Sequence, residues 1–255
     1  GGTWEPCRYP GIRSDSDLHA GGYEFKPWTS DNAIADAHEI LDYLHEVIEE
    51  DGLAKRIYLQ HKVIRADFSS ETAKWTVTLE RDGQQWDITS NWLFGATGDS
   101  NYAEAHAPHF EGQEDFEGRI VHPQFWPEDL DYAGKEVVVI GSGATAVTLI
   151  PAMAPTAGHI TMLQRSPTYV MPLPRKDPLA NTLRKVLPPK AAYAATRRFN
   201  IGKGRFIYNL CQKQPKIAKR IIRTANVKFL PKDFDAATHF NPTYNPWDQR
   251  LCAVP

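Results

Sequence analysis

Gly141, Gly143 and Ala146 stand in a Gly-x-Gly-x-x-Ala spacing directly after Glu136-Val137-Val138-Val139-Ile140, a run that reads as a buried strand. Residues of this type and spacing bind a pyrophosphate. The first glycine permits a tight turn, and the second lets the backbone approach the phosphates. The small third residue admits close packing of the following helix on the strand, and the helix N-terminus stabilises the negative charge. Gly141, Ser142, Gly143, Ala144, Thr145 and Ala146 are therefore candidate nucleotide-binding residues. The next strand, expected over His159–Leu163, runs out into Gln164-Arg165-Ser166. A site selective for an unphosphorylated ribose places a carboxylate about 20 residues after the turn. Here Arg165, followed by Ser166, can pair with a 2′-phosphate that a carboxylate would repel, so the expected nucleotide is NADP(H).

Two further charged residues carry no such signal alone. Asp15 lies in a Gly/Pro-rich loop, where aspartate serves mainly as a turn former. Arg250, in Asn245-Pro246-Trp247-Asp248-Gln249-Arg250, reads by itself as an ordinary surface residue.

The elements that must position these groups follow from periodicity. Gly1 to Trp28 reads as structured loop. Ile34, Ile40, Leu41, Leu44 and Ile48 recur at helical spacing, with Asp31 as the expected cap and Gly52 as the stop. Strands are expected over Ile57–Gln60, Val63–Phe68, Trp75–Glu80 and Gln85–Thr89, the last two joined by an Asp82-Gly83 hairpin turn. Trp92–Ala96 reads as another buried strand, and residues 99 to 134 as a long connection. Glu136–Ile140, a helix through about Met153, and His159–Leu163 then form one βαβ unit of the doubly wound α/β class. From Pro178 the chain is expected to be mostly helical, broken at Pro188-Pro189 and Pro215, and Asn241 to Pro255 reads as loop.

Composition narrows the remaining possibilities. With 255 residues the chain fits one large domain or two ordinary ones. Its longest apolar runs fall far short of the roughly 18 to 20 residues that span a bilayer. Cys7, Cys211 and Cys252 lack metal-ligand spacing, so no metal is expected, and so sparse a set suits a reducing, cytoplasmic setting. The net charge of −2 conceals an asymmetry: between Pro178 and Lys232 there are fourteen Lys or Arg and no Asp or Glu, leaving 29 − 14 = 15 bases against 31 acids elsewhere. Such a block is read as a solvated helical face, with peripheral contact to an anionic membrane as the alternative.

Two longer patterns add a resemblance. Phe116, Gly118, His122, Trp126 and Pro127 meet F-x-G-x-x-x-H-x-x-x-W-P, and Gly1, Gly2, Trp4, Tyr9, Pro10, Gly11 and Asp15 meet a second pattern that ends in aspartate. In this order, with the dinucleotide turn, they resemble the type I Baeyer–Villiger monooxygenases of the flavin-containing monooxygenase superfamily, over essentially the whole chain. Relatives that oxidise nitrogen or sulfur usually carry another aromatic where Trp126 stands.

The resemblance implies an α/β flavoprotein with two dinucleotide-binding domains: a Rossmann-like FAD domain interrupted by an NADP domain with a helical portion. Residues 1 to 120 would belong to the FAD domain, and 121 to 255 to the NADP domain with its basic insert at about 178–232. Thr3, Trp4, Asp15 and the backbone near Val63 would meet FAD, while Arg13 and Ser14 would join the turn and Arg165 at NADP. Asp15 would hold the catalytic guanidinium of Arg250. Gln249 departs from the lysine common in the family at that place, which leaves more of the 2′-phosphate recognition to Arg165. His122 and Trp126 would fix geometry between domains. NADPH would reduce FAD, and the reduced flavin would use O2 to convert a ketone to an ester or lactone, or to oxidise a thioether. The partners would be these small molecules, without nucleic acid. The resemblance also places the first FAD phosphate turn ahead of Gly1 and the return to the FAD domain beyond Pro255, so the 255-residue polypeptide alone is expected to be inactive.

Overall fold

A computed structural model describes residues 2–98 and 101–255, which divide into two compact units. One consists of Leu44–Glu104 together with Gly2, the other of Thr3–Tyr43 and Ala105–Pro255.

The smaller unit is built on an antiparallel meander of β1 (Lys62–Ser69), β2 (Lys74–Arg81) and β3 (Gln84–Ser90). Asp82 and Gly83, both at positive φ, make the two-residue hairpin between β2 and β3, as their sequence leads one to expect. Two expected strands are absent. Leu53–Arg56 forms a 3-10 turn instead, followed by a turn at Gln60 with φ 60°, so Ile57–Gln60 is not extended. Trp92–Ala96 pairs with no strand among the described residues, and Trp92 is 79% exposed. An apolar run becomes a strand only where a neighbour satisfies its backbone groups.

In the larger unit, α1 (Leu18–Gly21) is a single turn capped by Asp17. The helix expected from Asp31 begins later, as α2 (Ala37–Glu50), which continues from Leu44 into the smaller unit. The intervening backbone is already committed: Ser14 N donates to Ala35 O at 2.8 Å, Leu18 N to Ala33 O at 2.8 Å, and Ala33 N to Arg175 O at 2.8 Å. A segment laced on both sides cannot also close helical hydrogen bonds. Asp36 N donates to Glu39 Oε2 at 3.1 Å, the reach-back of a capping box, while Asp31 pairs with Arg184 at 2.8 Å. Gly52, at φ 61°, follows the helix as its stop.

The expected βαβ unit is present. β4 (Glu136–Ile140) lies parallel to β5 (His159–Leu163), with Glu136 opposite His159 and Ile140 opposite Leu163, and α3 (Ala144–Met153) connects them. β6 (Tyr169–Pro172) follows. Helices α4 (Pro178–Val186), α5 (Pro189–Lys213) and α6 (Pro215–Val227) break at the expected prolines. Each of these helices starts with proline at its first position, where the missing N–H costs nothing. The short α7 (Ala236–His239) precedes a correction to the C-terminal loop. Leu251–Val254 is a strand, β7, parallel to β6 with Tyr169 opposite Leu251. Its partner lies some 80 residues earlier in the chain, so no local pattern announces it.

The basic block is only partly a solvated face. Arg184 donates to the carbonyls of Thr29 and Ser30, and Arg197 to those of Ala20 and Gly22. These two arginines strap the N-terminal loop to α4 and α5. Other bases, such as Lys216, Arg220 and Arg223, are exposed or half-exposed beside exposed Ile217 and Ile221. Among the described residues no helix is long and apolar enough to cross a membrane.

Candidate functional site

The turn between β4 and α3 is held from behind. Gly141 has φ 138°, a conformation that favours glycine, and donates its amide to Leu163 O at 2.8 Å. Ser142 is buried; its hydroxyl donates to Ser166 O at 3.0 Å and lies 3.2 Å from the Thr168 hydroxyl. These bonds fix Gln164–Thr168 against the turn, so exposed Arg165 stands one residue from a direct contact with it. In front, the turn is open. No side chain caps α3, a Cβ on Gly141 would meet nothing within 4 Å, and one on Gly143 would meet only Arg250 Nη1 at 3.9 Å. An uncapped helix N-terminus facing open space, with a guanidinium beside it, fits a diphosphate. Ala146 is buried, as close packing of α3 requires.

The loop from Tyr9 to Asp15 packs on the same helix. Burial raises the pKa of the Tyr9 phenol, opposed by the neighbouring Thr145 side chain. Gly11 lies so close to α3 that a Cβ there would fall 2.6 Å from Ala152 Cβ and 2.9 Å from Thr148 O. Arg13 is half-buried and donates to Ser14 O and Ala253 O, each at 3.0 Å. Burial lowers its pKa, opposed by the nearby Asp15 carboxylate. Ser14 is buried, and its hydroxyl accepts from Ala35 N at 3.0 Å.

Arg250 enters this site from the other side. Its carbonyl accepts from the Tyr244 hydroxyl at 3.0 Å, and Tyr169 donates to Tyr244 O at 2.8 Å, with the two rings edge to face. Burial pushes the Tyr169 phenol up to about 12, so it stays a donor at neutral pH. Cys252, buried in β7, registers what surrounds it. Burial raises the thiol's pKa first, the Asp15 carboxylate raises it further, and Arg250 and Arg13 lower it. The charges of Asp15, Arg250 and Arg13 are all felt at this one thiol, while no hydrogen bond or ion pair among the described residues joins Asp15 to Arg250.

The other expected residues have surroundings of their own. Val63 is exposed on β1 in the smaller unit. Thr3 is exposed and its carbonyl accepts from Cys7 N, while Trp4 is half-buried. Gly1 lies outside the described residues. Residues 116–127 form a local structure: the Phe116 ring covers Gly118, where a Cβ would fall 2.4 Å from it, and His122 Nδ1 accepts from Gln124 N at 3.2 Å. Trp126 meets Tyr132 edge to face. Tyr169, Tyr244 and Cys252 were not legible as site residues, since their relevance depends on a strand pairing between distant segments.

Residues 27–178 match the family model described as flavin-binding monooxygenase-like. The chain is 49% identical over 256 residues to the FAD-containing monooxygenase EthA of Mycolicibacterium smegmatis, with 100% of this chain and 52% of the relative covered. It spans about half the length of the curated relatives it matches. Among solved structures it is similar to oxidized steroid monooxygenase bound to NADP, at 34% identity and TM-score 0.63, covering 78% of this chain and 37% of that one. A complex of OTEMO with FAD and NADP shares the fold over 100% of this chain and 56% of that chain, at 23% identity and TM-score 0.77.

Proposed function

This chain belongs to the flavin-binding monooxygenase-like family, and from that membership we propose that the intact protein is an FAD- and NADPH-dependent monooxygenase of the Baeyer–Villiger type. It would use O2 to convert a ketone to an ester or lactone, with oxidation of thioethers as a second activity. The observation that carries this reading is the Arg250 guanidinium beside Gly143, at the open mouth of the dinucleotide turn. When bound, the flavin supplies the oxygen-transfer chemistry and NADPH the electrons.

The chain's own residues supply binding and charge. The amides at the start of α3 and the open Gly141–Gly143 turn receive the NADPH diphosphate, and Arg165 pairs with the 2′-phosphate. Arg250 stabilises negative charge on the reacting oxygen, and Asp15 orients that guanidinium. Thr3, Trp4 and Val63 contribute to the FAD site, with residues 1 to 120 as the FAD-domain section and 121 to 255 as the NADP domain. Ketone chemistry is favoured over a purely heteroatom-oxidising enzyme by Trp126, which completes the F-x-G-x-x-x-H-x-x-x-W-P pattern.

The intact protein should purify with bound FAD and turn a cyclic ketone into its lactone in step with NADPH consumption. A colourless protein would leave only an NADP-binding module, and oxidation of a thioether with no lactone would assign it to the heteroatom oxidisers. Arg165→Ala should lose one charge-assisted contact to the 2′-phosphate, about 1.5 to 3 kcal/mol. The KM for NADPH then rises roughly 10- to 150-fold while that for NADH stays constant. An equal change for both nucleotides would remove Arg165 from 2′-phosphate recognition.

A further inference from the structure

Arg13 is the residue whose placement is least explained by nucleotide binding. Two of its guanidinium nitrogens are committed within the protein, Nη1 to Ser14 O and Nη2 to Ala253 O, each at 3.0 Å. The first carbonyl immediately precedes Asp15, and the second lies three residues after Arg250. Its own backbone is anchored too, bridged antiparallel to Asp36. The Asp36 carboxylate is held in turn by Arg175, which also approaches Glu39 at 3.6 Å. Arg175 O accepts from Ala33 N and Ile34 N. One end of Arg13 is thus fixed to a laced scaffold, and the other end bridges two segments 240 residues apart.

We infer that Arg13 is a positioning residue, holding the Asp15 loop and strand β7, which starts directly after Arg250, in one arrangement. The inference rests on the proposed oxygenase reading and deepens it. A planar guanidinium suits the task because its fork reaches two carbonyl oxygens at once, whereas an ammonium is a compact point charge. Its half-burial shields both bonds from competing water. β7 has only β6 as a described strand partner. The Ala253 carbonyl bond therefore adds a side-chain tie to a short four-residue strand.

The test uses the intact protein with Arg13→Ala and Arg13→Lys and combines three readouts. Lactone formed per NADPH consumed should fall at least fivefold in the alanine variant, and the KM for NADPH should move less than twofold. Lysine, able to reach one carbonyl, should recover part of the lost coupling. Amide hydrogen exchange, independent of turnover, should accelerate about tenfold together at residues 13–15 and 251–254, with α6 unchanged. Where the alanine variant does not fold, the lysine variant is expected to show the same joint acceleration to a smaller degree. A tenfold rise in the KM for NADPH with coupling intact would make Arg13 a nucleotide ligand and overturn the proposal. Exchange that accelerates in one segment only, or in neither, would overturn it as well. If the unsubstituted protein makes no oxygenated product, the oxygenase reading fails on its own, and the exchange result still decides whether Arg13 couples the two segments.

Discussion

Arg250→Ala in the intact protein is expected to lower oxygenated product by roughly 10²- to 10³-fold, while NADPH still reduces the flavin. The loss corresponds to about 2.7 to 4 kcal/mol, the effect of removing one donor from a preorganised oxyanion site. The structure indicates that the effect will be chemical rather than a failure to fold. Arg250 is exposed, and its recorded tie to Tyr244 uses the backbone carbonyl, which alanine retains. Its guanidinium instead stands beside Gly143, at the open mouth of the dinucleotide turn. Product analysis alongside anaerobic flavin reduction separates the two halves of the reaction. Normal product yield would remove Arg250 from the chemistry, and loss of both halves would place it in NADPH binding instead.

Gly11→Ala should be the most destabilising of the conservative changes near the site, by about 2 to 5 kcal/mol. Two terms contribute. Gly11 sits at φ 74°, where a side chain costs roughly 1 to 2 kcal/mol. The new methyl would also fall 2.6 Å from Ala152 Cβ and 2.9 Å from Thr148 O, and overpacking of this kind costs about 1 to 3 kcal/mol. One of those neighbours is helix backbone and cannot rotate away. Gly52 provides the control: at φ 61° with nothing within 4 Å, its alanine variant carries only the conformational part. Denaturant unfolding of both variants measures the difference. Equal stabilities would show that the Tyr9–Asp15 loop does not sit against α3.

What could be read in advance was local. The Gly-rich turn, the Asp82-Gly83 hairpin and the proline breaks at Pro189 and Pro215 are each specified by a few adjacent residues, and all are present. Expectation and structure differ where a distant segment decides. Ile34 sits at helical spacing, yet its amide bonds to Arg175 O, which keeps residues 33–36 out of α2. Leu251–Val254 is too short to register as a strand until β6 is beside it, and Trp92–Ala96 has the composition of a strand without a partner. The site divides the same way. Gly141 to Ala146 are legible from their spacing. Asp15 and Arg250 are ordinary residues in their own surroundings; Asp15 becomes a candidate through the longer pattern it completes, and Arg250 only through the family resemblance. The resemblance places Arg13 at the nucleotide, whereas its bonds to Ser14 O and Ala253 O are what motivate the positioning role proposed for it.

The most direct test of a joint Asp15–Arg250 device is a double-mutant cycle on product formation in the intact protein, using Asp15→Ala, Arg250→Ala and the pair. Groups that act as a unit are strongly non-additive, so the pair should lose scarcely more than Arg250→Ala alone. Losses that simply multiply would mean that the carboxylate and the guanidinium work independently, and the two residues would not form a single catalytic device.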